Sequence, residues 1–174
     1  MKKAMLILPA MLLAACATTT DMATMPGALP SSDIAGIVTT ANEGEIAQGQ
    51  AASSRATSGD VRAFAQMMVS DHTSALNTAR DTFSRNNITP GDNDTTQTLR
   101  ANSQRTITNL ATYKGAAFDR AYMQSQVDLH QWLLNSLDTA LIPSARGEVL
   151  TLLQTQRAAV ATHLDRARQI LSGL

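Results

Sequence analysis

Three histidines and one glutamate have the residue types and the placement to do chemistry. His72, His130 and His163 are the only histidines of the 174-residue chain. Each falls on the apolar stripe of a different long helical segment, and Glu45 falls on the stripe of the remaining one. Three imidazoles and a carboxylate directed into one helical core suit a single transition metal ion such as zinc, copper or iron, the carboxylate offsetting its charge. Helical bundles build metal sites from facing helices in this way. The di-iron pattern is absent, because it needs Glu three residues before His on two helices. Here Val69, Val127 and Val160 stand in those places. A mononuclear site is the most these residues support. The other reading is a metal-free buried Glu/His network that pairs its own polar groups and fixes helix register. Ring nitrogens and the Glu45 carboxylate within ~4 Å of a common point would favour the metal, whose bonds are near ~2 Å. Side chains paired two by two at separate heights would favour the network.

The remaining polar residues offer less. Asp71 adjoins His72 and so points elsewhere, as a partner to a ligand or as a solvated acid. Asp119 and Tyr122, one turn apart, fit a lock of the crossover onto the fourth long helix better than a catalytic pair. Met68 precedes His72 by one turn and its thioether suits copper(I), although Met67, Met68 and Met123 fit equally as core fillers. Asp92-Asn93-Asp94 begins like a calcium loop but lacks the glycine and closing glutamate at the required offsets. Neither a glycine-rich phosphate loop nor a nucleophile elbow is present. The residues favour a binding or sensing protein over an enzyme.

The elements that must carry these side chains are helices throughout. Periodicity predicts helices over residues 32–57, from Ser58-Gly59-Asp60 to about 86, 95–112, 116–141, and from Ser144 to about 171. Pro143 is expected to stop the fourth. Four segments of about 25 residues, ~37 Å each, form two hairpins. The ~30-residue connection between them holds the short polar helix. The expectation is an all-α, ferritin-like four-helix bundle with a long crossover carrying an extra short helix, a plain up-down array of five helices being the alternative. Glu45 and His72 lie 14 and 13 residues from Gly59. His130 and His163 lie 13 and 20 residues from Pro143 and so miss by about two turns, leaving Gln126 or Gln156 level with one or the other.

The N-terminus reads as an export signal. Lys2 and Lys3 precede an apolar run over residues 4–13, and Leu13-Ala14-Ala15-Cys16 forms a lipobox. That run is about half the ~20 residues a spanning helix needs. Residues 1–15 are expected to be removed and Cys16, the only cysteine, to be lipidated. Residues 16–31 then form a flexible tether and residues 32–174 the bundle domain. Ala17, rather than Asp, suits transport to the outer membrane, with the domain facing the periplasm. Membrane contact is expected through the lipid. Without Lys2 and Lys3 the chain has 12 basic and 14 acidic residues, a net charge of −2. Scattered arginines and few aromatics exclude a nucleic-acid partner.

Three blocks also resemble a known family: Glu43-Gly44-Glu45-Ile46-Ala47; Val61-Arg62-Ala63-Phe64-Ala65 with Val69-Ser70-Asp71-His72; and Gly115-Ala116-Ala117-Phe118-Asp119-Arg120-Ala121-Tyr122 leading to His130. His163-Leu164 adds a fourth. The chain resembles the domain of unknown function family 4142, often labelled outer-membrane proteins and grouped with ferritin-like folds. The resemblance spans residues 34–171 and implies a fold but no activity. Arg157-Ala158 departs from a Leu-Pro pair common in the family before its last histidine, so the local helix geometry near His163 is expected to differ.

Overall fold

The structure, a computed structural model, describes residues 27–174. The proposed signal segment, Cys16 and most of the tether lie outside the described residues. Those described form an all-α bundle with no strand among them: α1 (Ser31–Ser53), α2 (Gly59–Arg85), α3 (Asp94–Leu110), α4 (Gly115–Ser136), a π-helical turn (Leu137–Leu141), the single turn α5 (Ile142–Ser144) and α6 (Gly147–Ser172). No helix among them is long and apolar enough to cross a membrane.

α1 packs on α2, α4 on α6, and α2 on α6, so the four long helices form the bundle. The connection after α2 crosses close over the start of α1. A Cβ on Gly36 would collide with the Gly91 carbonyl, so glycine is what lets the two backbones meet. The Gly91 N–H donates to the Ser32 carbonyl at 2.8 Å. α3 then lies along α1, outside the four. Asn93 caps it in a reciprocal pair with Thr96, and Asp92 is occupied by Thr96 and Arg100 rather than by a cation site.

Two ends differ from the periodicity. α1 stops at Ser53, before the expected Thr57, because a buried side chain on α4 holds residues 57–58. The Asp119 carboxylate accepts from the Thr57 N–H (3.0 Å), the Thr57 hydroxyl and the Ser58 N–H (2.8 Å). Asp119 therefore locks the α1–α2 turn, not the crossover. The second difference is at Pro143, which does not end the helical path. Proline lacks the N–H for an i−4 bond and its ring crowds that carbonyl. The chain answers one turn earlier: the Ile142 N–H reaches back five residues to the Leu137 carbonyl, making the π turn. Pro143 sits inside α5, and the reversal comes at Ala145-Arg146. Ser144 does not cap α6; its hydroxyl donates to the Ala140 carbonyl and accepts from the Leu29 N–H. α6 starts instead at Gly147, whose φ of 56° favours glycine. The helix then runs unbroken through Arg157-Ala158.

Two apolar clusters fill the bundle. One gathers Ile34, Val38, Phe83, Leu137, Leu141 and Leu153 toward the Pro143 end. The other gathers Val61, Phe64, Met68, Phe118, Tyr122 and Met123 toward the α1–α2 turn. Met68 and Met123 thus fill core space. Between the clusters lies a layer of buried polar side chains. Removing the Asp119 carboxylate orphans two backbone N–H groups, so Asp119→Ala should cost about 2–4 kcal/mol of stability. Urea denaturation measures it, and a loss below ~0.5 kcal/mol, within the range of neutral surface changes, would show that the turn holds itself.

Candidate metal centre

The polar layer holds Glu45 on α1, His72 on α2, His130 on α4 and His163 on α6. These four are 1%, 6%, 0% and 5% exposed, so water does not solvate them as it would on a surface. The histidines stand together. Ring centroids are 6.1 Å apart for His72–His130, 5.4 Å for His72–His163 and 5.6 Å for His130–His163, all tilted or edge-on. The expected two-turn mismatch between His130 and His163 shrinks to less than one turn once the count starts where the chain reverses and not at Pro143. Counted from Ala145, where the chain does reverse, they lie 15 and 18 residues away.

Each imidazole is held by one nitrogen. His72 Nδ1 is 2.9 Å from Asn42 Oδ1, and the Asn42 amide nitrogen donates to the Val38 carbonyl, which fixes Oδ1 as the acceptor. The His72 proton therefore sits on Nδ1. His130 Nδ1 is 2.9 Å from the Gln126 carbonyl, which can only accept. His163 Nε2 is 3.1 Å from the Asp71 carboxylate. Three acceptors thus place the protons on the outer nitrogens. The nitrogens left bearing lone pairs are His72 Nε2, His130 Nε2 and His163 Nδ1, and all three are buried without a hydrogen-bond partner.

One ring nitrogen from each histidine lies within 4.8 Å of the other two. Any three such points share a common point within about 2.8 Å of each, against ~2.0–2.1 Å for a zinc–imidazole bond. Full ligation requires the rings to draw in until the nitrogens are ~3.3 Å apart, the spacing of tetrahedral ligands at that bond length. Glu45 lies beside this trio but outside it: Oε1 is 3.5 Å from His130 Nδ1, the outer nitrogen. Both its oxygens, the Tyr122 hydroxyl and Gln126 Oε1 are also buried without partners. The Gln126 amide donates to Gln48 Oε1 at 3.3 Å across the α1–α4 gap.

Burial sets the charge of the layer. It lowers the His72 pKa to about 3, assisted by repulsion from His130 and His163. It lowers His130 to about 4 against the pull of the Gln126 carbonyl. His163 is lowered by burial and by His130, with Asp71 and Glu45 opposing. Burial raises Glu45 to about 7 despite Gln126 and His163. At neutral pH the imidazoles are neutral, the form that ligates metal.

Residues 16–170 match the family described as Domain of unknown function (DUF4142), most of the chain. The chain belongs to this family. A search of curated proteins and a search of solved structures each found no match. All four layer residues of this DUF4142 chain lie within the matched span.

The sequence left Asp71 as a partner to one of the histidines or a solvated acid; it is half-exposed and accepts from His163, the ring across the bundle, while its neighbour His72 faces inward. It missed Asn42. A signal was available, since Asn42 is one turn from Glu45 on the buried face. The role of the Gln126 backbone carbonyl has no sequence signal at all.

The pH dependence of metal-free stability follows. His72 and His130 titrate lower folded than unfolded, so their contribution is present above 6.5 and lost as the pH falls toward 4 and 3. Glu45 titrates higher folded, so its contribution is full below 4.5 and lost as the pH rises through 7. Two imidazoles outweigh one carboxyl on the acid side. Thermal melts in chelator should peak at about pH 6.5–7, and Glu45→Gln should flatten the alkaline limb. A Tm that climbs steadily from pH 7 to 4.5 would contradict this charge assignment.

Proposed function

We propose that this protein is a membrane-anchored, periplasm-facing lipoprotein whose bundle binds one transition metal ion through His72, His130 and His163, with Glu45 beside the site. The observation that carries the metal is the orientation of the three rings. A network serving only to satisfy itself would pair these nitrogens with one another. Here each outer N–H is given to Asn42, Gln126 or Asp71, and each inner lone pair is left buried and unpaired. Metal-ligating histidines characteristically give their other N–H to a carbonyl or carboxylate, which fixes the tautomer and raises ligand basicity. Three neutral imidazoles suit zinc, copper or iron. Glu45, when ionised, supplies a negative charge beside His130 Nδ1. Glu45 is the one buried carboxylate of the layer, and Asp71 is engaged by His163 Nε2, so no pair of carboxylates stands ready to bridge a second metal.

The lipid anchor rests on the lipobox ending at Cys16. It would hold the bundle at a membrane surface outside the cytoplasm, in the outer membrane on the reading of Ala17.

Chelator-stripped full-length protein, titrated with zinc or cobalt, should take up one equivalent. His163→Ala should abolish tight binding, and Asn42→Ala, which frees the His72 ring, should weaken it about 10–100-fold. Equal uptake by the wild type and both variants, measured by elemental analysis, would put the metal elsewhere. For the anchor, Cys16→Ala should move the protein from the membrane to the soluble fraction and end its labelling by a fatty acid. Unchanged membrane retention would argue against lipidation at that residue.

A further inference from the structure

A cavity of about 70 Å³ adjoins the histidine layer on the side of the Pro143 end. Asn42, Asp71, His72 and His163 border it at the layer. Above them its wall is apolar, built by Ile37 and Val38 of α1, Leu133 of α4, Val160 of α6, and Leu137 and Leu141 of the π turn. Its outer edge lies in the α2–α6 seam, where Ala75, Ala159 and Gln156 line it and Ala159 is exposed. Two alanines facing across a helix seam leave a gap that larger side chains would fill. His72 Nε2 and His163 Nδ1, buried and unpartnered, belong to the two rings at its floor.

We propose that this cavity is the ligand pocket of the metal site. It admits a small molecule of about two or three heavy atoms, uncharged or singly anionic, to the coordination position that three imidazoles leave open. This rests on the metal reading above. Size sets the upper limit: a water needs ~10–15 Å³ of such space, and an apolar cavity near ~150 Å³ takes benzene. Phosphate, with five heavy atoms, and acetate, with four, exceed what 70 Å³ holds. Charge sets the second limit. No Lys or Arg lines the cavity, and the one charged side chain, Asp71, repels anions from its place at the layer. An anion here can be compensated only by the metal itself, which selects a single charge carried on a small ligand. Apolar walls also keep bulk water from competing for the open position.

The test uses full-length protein loaded with cobalt(II), whose visible bands report its ligands, with azide as the small probe and acetate as the larger one. Azide should shift the bands and acetate at equal concentration should not. Ala159→Leu, at an exposed position, and Ala75→Leu should keep the azide-free cobalt spectrum and raise the azide Kd by about tenfold or more. Azide binding unchanged in both variants, or acetate binding as well as azide, would overturn the pocket while leaving the metal site standing. Protein that shows no cobalt bands before any probe is added would remove the metal reading, and the pocket with it.

Discussion

The dehydrated imidazole lone pairs are a cost that the rest of this fold must carry. A buried acceptor without a partner costs about 1–3 kcal/mol, and the layer holds three such nitrogens together with the Glu45 oxygens and the Tyr122 hydroxyl. They persist because apolar clusters lie on both sides and bring the helices together whether or not the layer is satisfied. The outer N–H bonds prevent the rings from turning to relieve themselves. Rotating His72 would strand Asn42 Oδ1, and rotating His163 would strip Asp71 of its partner. The lone pairs stay buried and unpaired by the cost of every alternative.

The helices differ in what they contribute. α1 and α2 meet closely and carry Asn42, Glu45, Asp71 and His72; α4 and α6 carry the other two rings. α2 and α6 touch more lightly, and this is where small side chains leave the cavity edge. α1 and α4 stand farther apart still, bridged by the Gln48–Gln126 amides and sheltered by α3. A groove of about 390 Å³ runs there, lined by Gly44, Ser103, Asp128 and Trp132. Of the two hollows, the apolar one is bordered by His72 and His163, whereas the polar groove is lined by none of the four layer residues.

Much of this was legible from residue spacing. The helix count, the crossover and the inward placement of Glu45 and the three histidines follow from the 3.6-residue period, which is a property of the chain alone. What was illegible depends on how backbones end. Pro143 carries a strong stop signal, yet its effect was moved upstream into the π turn, because a helix packed on both sides loses less by shifting one hydrogen bond than by unwinding. Asp119 could be noticed as a buried acid, but its partners are backbone N–H groups, which every residue has and no sequence marks. The same holds for the carbonyl that orients His130.

The π turn at Leu137–Leu141 makes the site a matter of counting. It stores one residue more than an α-helical path to Ala145 would use, and each α-helical residue turns the chain by about 100°. Loss of a single codon there would straighten the helix and swing His130 relative to α6, with Glu45 and all three histidines still encoded. Chain length at this one turn therefore decides whether the three rings meet, and an inventory of histidines would not reveal it.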